Sequence, residues 1–204
     1  MTEEKSKADQ TRERILNSAI EEFALQGYSK ASTNRIMEQA GMAKGLLFHY
    51  FSNKQKLYLA CVQKVLSKVQ MQLDHFIKEM PKDLFLRLAD LLRWKNQLSQ
   101  DQPITFRFLL GITKLPPEVR VKADGMLATW RKRNIQLLAD YDKTPWDPRV
   151  NQKDAIEVVV LLFDAFDHKW VQQMDADILQ DQEEILSHAL RMLEVLKSGF
   201  YQDH

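Results

Sequence analysis

The chain has 204 residues, of which 45% are hydrophobic and 28% are charged, and its formal net charge is +1. This ordinary balance excludes a largely disordered chain and leaves room for one domain or two small ones. The single cysteine, Cys61, excludes an internal disulfide and lies among apolar residues, as expected of a small buried side chain. A polar N-terminal segment without a signal core, and apolar runs all shorter than about 18 residues, predict a cytoplasmic protein that does not cross a membrane.

Helical spacing of the apolar residues predicts three helices in the first quarter of the chain. The first covers about residues 8–26, and Gly27 is placed to end it in the left-handed conformation. Ser32 is suited to cap a short second helix, which Gly41 ends. A third, very short helix covers about residues 44–50.

A long fourth helix follows, and the rest of the chain is also expected to be helical. The S-x-x-Q spacing of Ser52 and Gln55 has the form of a capping box and predicts the start of the fourth helix, while Pro81 ends it after about Met80. Later apolar repeats predict five further helices, over about residues 83–98, 103–110, 117–138, 153–174 and 182–200. Residues 141–152 form the clearest loop. The nine helices together predict an all-α fold.

The two short helices and the glycine-containing turn between them, packed on the first helix, have the layout of a helix-turn-helix. Leu47 and Phe51 lie four residues apart on the third helix and are expected to face inward. The residues expected to pack with them are Ile15, Phe23, Ile36 and Ala40. The opposite side then carries Lys44, Gly45, Phe48 and His49. In this motif the outward residues of the second of the two helices enter the major groove of DNA.

Residues 27–56 carry an excess of positive charge, with five basic side chains and a single acid, Glu38. The basic residues are Lys30, Arg35, Lys44, Lys54 and Lys56. A basic patch on an otherwise neutral chain suits an anionic partner such as nucleic acid. A solvated charged surface is the alternative, and charge alone favours that alternative.

A resemblance to a known family decides between these two explanations. Residues 11–58 read TRERILNSAIEEFALQGYSKASTNRIMEQAGMAKGLLFHYFSNKQKLY, and this segment resembles the TetR-type family of repressors, named for the tetracycline repressor. The shared pattern is F-x-x-x-G-Y/F, then S/T-x-x-x-I-x-x-x-A-G-V/M, then Y/F-x-Y-F and a polar turn with lysine. Over residues 60–204 the resemblance lies only in length and helical layout.

The resemblance implies a set of DNA-contacting positions in and around the two short helices. These positions hold Thr33, Asn34, Lys44, Gly45, Leu46, Phe48, His49, Tyr50 and Lys54. Thr33 is expected to donate to a phosphate, as are His49 and Tyr50 to phosphates or bases, and Lys54 is expected to hold a phosphate. Lys44 is suited to a guanine edge or to a phosphate, and the sequence leaves both open.

Two of these positions depart from the family pattern. Phe48 replaces a common tyrosine and so lacks the hydroxyl that would bind phosphate. Leu46 stands where a small or hydroxyl residue is frequent, so a thymine methyl is one partner for it. Both departures leave the predicted fold intact and bear on which operator sequence is bound.

The predicted domain division places a helix-turn-helix DNA-binding domain in residues 1–56 and an effector-binding and dimerisation domain in residues 57–204. Residues 158–163 are apolar nearly all round the helix, so that helix needs cover on both sides. The final helix offers an apolar stripe of Ile185, Ala189, Leu193, Leu196 and Phe200. Burial within one subunit is the alternative to a two-fold interface of the last two helices. We favour the homodimer, which the resemblance also implies.

The resemblance further implies a ligand pocket in the C-terminal domain. The large aromatic candidates for its lining are Trp94, Phe106, Phe108, Trp130, Phe163, Phe166 and Trp170. Plain core packing is the competing explanation for each of them singly, and as a set they favour a largely apolar effector. Asp164, Asp167 and His168 share one helix face; metal ligation is one explanation, but a paired set at the pocket or dimer interface is favoured. We predict neither a metal nor a cofactor.

The resulting functional prediction is a dimeric, ligand-responsive transcriptional repressor, released from a palindromic double-stranded operator by a small apolar molecule. Activation in place of repression is left open. The main alternative is a helical ligand-carrier or interaction module without specific DNA binding. No enzyme is predicted, because the sequence shows no nucleophile–base pairing, phosphate loop or metal motif, and a hydrolase would rest on Asp164 and His168 alone.

Overall fold

The computed structural model describes residues 6–138, 141–143, 145–175 and 182–201, with side chains described except at 133–138, 167, 168, 170–175 and 182. Within these ranges the chain forms nine α-helices, one short 3₁₀ helix and no β-strand, which confirms the predicted all-α class. The helices are α1 Lys7–Lys30, α2 Thr33–Gln39, α3 Leu46–Phe51, α4 Lys54–Ile77, α5 Leu84–Asp101, α6 Pro103–Gly111, the 3₁₀ helix Ile112–Lys114, α7 Pro117–Leu138, α8 Gln152–Asp175 and α9 Gln182–Phe200.

Gly27 kinks α1 where the sequence predicts its end. The glycine has the predicted positive φ of 69°, but its ψ of 165° is far from the left-handed helical value, and one more turn follows as far as Lys30. A Cβ at this position would meet no atom within 4 Å, so the backbone conformation alone requires glycine there. The kink redirects the chain toward Ser32, whose side chain caps α2 by accepting from the Arg35 backbone N–H at 3.5 Å, as predicted.

The predicted capping box of Ser52 and Gln55 is wrong. Ser52 ends α3 with a φ of 59°, a conformation outside the extended region that an N-cap residue uses. Asn53 caps α4 in its place, because its Oδ1 accepts from the Lys56 backbone N–H at 2.8 Å. The Gln55 side chain instead donates to the carbonyl of Glu118 at 3.1 Å.

The boundaries of the later helices follow the predicted start and stop signals closely. Pro103 and Pro117 begin α6 and α7, as predicted. Asp83 caps α5 by accepting from the Leu86 backbone N–H at 2.9 Å, and α5 then runs three residues beyond the predicted end at Leu98. The long fourth helix ends at Ile77, three residues before the predicted Met80.

The chain divides into two compact units, Met1–Leu73 with Gln102–Arg131, and Asp74–Asp101 with Lys132–His204. These units are defined by spatial contacts, whereas the division at residue 56 concerns DNA binding against effector binding and stays a prediction. In the first unit α1 packs against α2 and α6, and in the second α5 and α8 pack against α9.

The core of the first unit contains buried side chains of α1, α4 and α6. Its members include Leu16, Leu57, Cys61 and Phe108, all of which are buried. The Cys61 thiol lies against the Leu16 carbonyl at 3.9 Å, and burial raises the pKa of this thiol far above its usual range. Cys61 is thus a small buried side chain of the core, as the sequence predicts.

The second unit has an aromatic core where the chain from residue 145 to 148 meets the end of α9. The Trp146 ring stacks on Phe200 at a centroid distance of 6.0 Å, and Phe85 of α5 packs edge-on against Tyr201 at 5.1 Å. The Asp147 backbone N–H donates to the Phe200 carbonyl at 2.9 Å, which fixes the predicted loop to the last helix. Across the described parts of both units, none of the helices combines the length and the apolar character needed to cross a membrane.

Candidate nucleic-acid interface

Helices α2 and α3 pack on α1 as the sequence predicts. Leu47 and Phe51 are 1% and 4% exposed, and the residues predicted to pack with them are also buried, namely Ile15, Phe23, Ile36 and Ala40. Gly41 makes the turn after α2 with a φ of 65°, and a Cβ there would lie only 3.0 Å from Arg14 Nη2. Both the backbone angle and the space therefore favour glycine at this turn.

The opposite side of α3 is open to solvent. Lys44, Gly45, Phe48 and His49 are all exposed, as predicted, and the phenyl ring of Phe48 is 64% exposed. The remaining predicted contacts in α3 are Leu46 and Tyr50, which are half-buried. The Tyr50 ring packs edge-on against His49 with centroids 5.2 Å apart. The structure thus separates a buried face of α3 from an exposed face that carries Phe48 and His49, with Lys44 and Gly45 exposed just before the helix.

The start of α2 also carries predicted contacts. Thr33, the first residue of α2, is half-buried, and the following Asn34 is exposed. Arg35 comes next, and its side chain is turned back toward α1. DNA contact by Thr33 and Asn34 stays a prediction that their exposure permits.

The sequence does not predict a partly buried ion pair that joins α1 and α2. The Glu22 side chain is almost fully buried and accepts from Arg35 Nε at 2.9 Å, from Arg35 Nη2 at 2.6 Å and from the Ser32 backbone N–H at 2.8 Å. Burial raises the pKa of the Glu22 carboxyl, but the bonds from Arg35 and Ser32 outweigh this and lower the pKa below its usual value. The only signal in the sequence is an acid three residues after Ala19, on the apolar face of the first helix.

This ion pair reduces the positive charge that the basic residues between positions 27 and 56 offer to a partner. Arg35 is held by Glu22 and also donates to the Lys30 carbonyl at 3.2 Å, so its charge is largely neutralised within the protein. Lys30, Lys44 and Lys56 are exposed. The positive charge available to an anionic partner is therefore smaller than the sequence count indicates, and it comes from lysines.

Lys54 lies at the first turn of α4, and its ammonium group is partly enclosed. Lys54 Nζ donates to the Ser29 carbonyl at 3.2 Å and lies 4.9 Å from the centre of the Tyr28 ring. Burial lowers the pKa of this ammonium group, and the nearby Glu22 carboxylate opposes that change. The ammonium group has three donors, so the bond to Ser29 leaves donors for a phosphate.

Comparisons with known proteins identify the family. The model of the bacterial regulatory proteins of the tetR family matches residues 15–61, which include α2, α3 and the turn between them. The transcriptional repressor AcnR of Corynebacterium diphtheriae is 31% identical over 143 residues, which make up 67% of this chain and 71% of AcnR. The chain belongs to the TetR family. It is accordingly a DNA-binding transcriptional regulator, and α2 and α3 form its helix-turn-helix.

Two further comparisons extend the likeness beyond the helix-turn-helix. The transcriptional regulator YvkB of Bacillus subtilis is 26% identical over 191 residues, which cover 88% of this chain and 93% of YvkB. A TetR transcriptional regulator from Chloroflexus aurantiacus has the same fold with a TM-score of 0.72 and 22% identity, over 96% of this chain and 99% of that one. In several other curated relatives the alignment covers 29–65% of the relative's own length.

The aromatic candidates for an effector pocket of this TetR-family chain fall in both units. In the first unit Phe106 and Phe108 are buried, Phe108 packs against Tyr58 with centroids 5.2 Å apart, and Trp130 is half-buried. These contacts are those of core packing, the competing explanation. A cleft of about 350 Å³ among α1, α4 and α6 is lined by Ile20, Val65 and Ile104 with polar side chains around them, and none of the candidates lines it.

In the second unit the candidates are partly covered. Trp94 stacks on Phe76 with centroids 6.0 Å apart, Phe166 is buried edge-on against His188, and Phe163 is half-buried. Trp170 lies outside the residues whose side chains are described. Their role in effector binding stays a prediction.

The structure describes only one side chain of the set Asp164, Asp167 and His168 on α8. Asp164 is exposed, whereas the side chains of Asp167 and His168 lie outside the described residues. Among the side chains that the structure describes, no group of three or more His, Cys, Asp or Glu residues is arranged to hold a metal ion.

Helices α8 and α9 of this TetR-family chain expose large apolar side chains in the second unit. These residues are Val158, Val160 and Leu161 on α8, and Met192 and Val195 on α9. The same helices also carry buried apolar residues, among them Ala155, Val159, Ile185, Ala189 and Leu193. We call the exposed set the α8–α9 surface.

Proposed function

We propose that this TetR-family chain is a dimeric transcriptional repressor whose two copies of α3 bind an inverted repeat in successive major grooves. A small, largely apolar molecule lowers the affinity for DNA. The observation that carries the proposal is the division of α3 into a buried face, with Leu47 and Phe51, and an exposed face, with Phe48 and His49. Only the exposed face is free to contact base edges, while the buried face sets its orientation.

Phosphate contacts in this proposal come from both ends of the motif. Thr33 and Asn34 lie at the start of α2, and Lys54 lies at the start of α4, so they flank α3 in the sequence and hold the duplex on either side. Lys44 lies just before α3 and supplies either a guanine contact or a further phosphate contact. These contacts supply affinity, whereas the exposed face of α3 supplies specificity.

Dimerisation in this proposal uses the α8–α9 surface. One α3 reads only a few base pairs, so specific binding needs two copies held about 34–36 Å apart, one turn of the duplex. Leu161 and Val195 are more than 60% exposed in one chain. Apolar side chains of this size on two neighbouring helices favour burial against a second copy, which produces a two-fold four-helix interface.

Effector release follows from the same geometry. A ligand weakens DNA binding only if it binds better to a conformation in which the two α3 helices no longer match successive major grooves. The candidate residues for effector binding are the large aromatic residues named above as the lining of a pocket. Helix α4 begins at Lys54 and is continuous to Ile77, so a tilt of this helix moves the Lys54 phosphate contact.

Selection from randomised duplex DNA, followed by binding anisotropy at several salt concentrations, tests the proposed function. An enriched inverted repeat, bound by a dimer at moderate salt, is the expected result. Lys54→Ala should weaken binding to all duplexes and lower the slope of log affinity against log salt by about 1 per subunit. Lys68→Ala is the matched control, because Lys68 is an exposed lysine 14 residues further along α4. The absence of any enriched repeat from intact, ligand-free dimers would favour the alternative, a carrier or interaction module.

A further inference from the structure

Phe48 is unusual among the exposed side chains of this protein. Among the described residues, it is the only aromatic side chain in the set of large apolar residues that are exposed. It lies in α3, whose other phenylalanine, Phe51, is buried in the helix-turn-helix core. An exposed phenyl ring contributes little to the stability of the domain, so the fold does not explain its presence.

The neighbours of Phe48 do not account for it either. The adjacent His49 ring packs against Tyr50, and Tyr50 lies near Phe51, but no ring contact in the described part of the chain involves Phe48. The 64% exposed ring therefore projects from the face of α3 that also carries His49. This is the face that enters the major groove under the proposed function.

The chemistry of a phenyl ring restricts what it recognises in DNA. Phenylalanine has no hydrogen-bond donor or acceptor, so it forms no hydrogen bond with a phosphate oxygen or with a polar base edge. The apolar group that the major groove offers is the C5-methyl of thymine, and apolar side chains contact it. Burying both the ring and the methyl removes apolar surface from water.

We propose that Phe48 is a specificity-determining residue that packs against a thymine methyl and so requires an A·T pair at one position of each half-site. This inference rests on the proposed function, because it assigns one base contact to the exposed face of α3. Lys54 and the other polar side chains then bind the phosphate backbone of the DNA. Phe48 distinguishes thymine from cytosine by contact with the C5-methyl group of thymine. Leu46, half-buried at the start of α3, is the competing apolar contact.

The test uses the inverted repeat obtained by selection and replaces each thymidine with deoxyuridine, one symmetric pair of positions at a time. This change removes only the methyl and leaves base pairing intact. For the wild-type dimer, deoxyuridine substitution at one symmetric pair of positions should lower the affinity for DNA. The expected loss is about fourfold for each methyl removed, the factor for one buried methyl group. Phe48→Ala should bind the thymidine and deoxyuridine duplexes equally, with an unchanged salt slope, whereas Leu46→Ala should retain the wild-type discrimination.

Several results separate failure of this inference from failure of the proposed function. If no repeat is enriched, the proposed function fails and the inference fails with it. If a repeat is bound but lacks an A·T pair in its half-sites, or is insensitive to deoxyuridine, the inference is overturned while the proposed function stands. If the Phe48→Ala protein still distinguishes thymidine from deoxyuridine and the Leu46→Ala protein does not, Leu46 makes the methyl contact. That result would also overturn the inference about Phe48.

Discussion

The helix-turn-helix and the last two helices differ in how they dispose of their apolar side chains. In α3, Leu47 and Phe51 are 1% and 4% exposed, so the described part of the same chain buries both side chains. In α8 and α9, Leu161 is 62% exposed and Val195 is 64% exposed, and the described part of the chain does not cover them. The helix-turn-helix therefore buries its apolar side chains within one chain, whereas the α8–α9 surface leaves large apolar side chains exposed, as the proposed dimer requires.

Leu161→Glu is expected to have the largest effect, because it places an unpaired carboxylate in the proposed dimer interface. We expect the dimer dissociation constant to rise by about 100-fold or more, with the helical content unchanged. Analytical ultracentrifugation over a range of concentrations measures this change. Val121→Glu, at a 74% exposed position on α7, is the control and should leave the dimer intact. A Leu161→Glu protein that dimerises as the wild type does would refute the proposed interface.

Leu47→Ala and Phe48→Ala compare the two faces of α3 directly. Truncation of the buried Leu47 should lower the free energy of unfolding by about 2–5 kcal/mol, because it removes apolar contacts and leaves a cavity. Truncation of the exposed Phe48 should change it by less than about 0.5 kcal/mol. Urea unfolding followed by circular dichroism measures both. Equal losses from the two variants would contradict the assignment of the buried and exposed faces.

Glu22→Gln tests the ion pair that fastens α2 to α1. The folded-state pKa of Glu22 lies below its ordinary value, so its contribution to stability is complete above the ordinary glutamate pKa and is lost as the pH falls through the folded-state pKa. We expect a loss of about 1 kcal/mol at pH 7, a modest value because Arg35 is half exposed and screened by solvent. The difference from wild type should shrink as the pH falls below 4.5.

The neighbouring Glu21 provides the control for this prediction. Glu21 is exposed, so Glu21→Gln should leave the unfolding free energy unchanged at every pH. Unfolding curves recorded between neutral and acidic pH compare the three proteins. A Glu22→Gln deficit that stays constant as the pH falls would show that the ionised carboxylate is not the cause.

The smallest effects concern the start of α4. Asn53→Ala should cost about 1 kcal/mol, because the cap on the Lys56 N–H is lost. Ser52→Ala should change stability by less than about 0.5 kcal/mol, since the Ser52 side chain does not serve as the cap. Thermal unfolding of the two variants gives the comparison. A larger loss from Ser52→Ala than from Asn53→Ala would restore the capping box that the structure contradicts.

These regions also differ in how far the sequence predicts them. Apolar spacing identifies the helices and the inward positions such as Leu47, because a helix with one buried face has apolar residues at every third or fourth position. The cap at Asn53 and the Glu22–Arg35 pair were missed for a different reason. The Asn53 cap depends on the φ angle of one turn residue, Ser52, and the ion pair joins side chains 13 positions apart. The spacing of apolar residues predicts neither feature.

The ligand candidates show a further limit of sequence reasoning. A large aromatic residue such as Phe108 has the same helical spacing whether it fills the core or lines a pocket, and here it packs against Tyr58. Lys54 is a similar case, because its position predicts a phosphate contact but not the bond to the Ser29 carbonyl. The side-chain environment decides such roles, and it depends on the packing of several helices.

The most direct test of the account is the spacing of the two half-sites. Anisotropy should compare the selected inverted repeat with a duplex whose half-sites are about 5 bp further apart, half a turn of DNA, which places them on opposite faces. A dimer that presents two α3 helices to successive major grooves should lose about 100-fold or more in affinity, approaching its non-specific binding. Equal affinity for the two duplexes would contradict the account, because each helix-turn-helix would then bind independently of its partner.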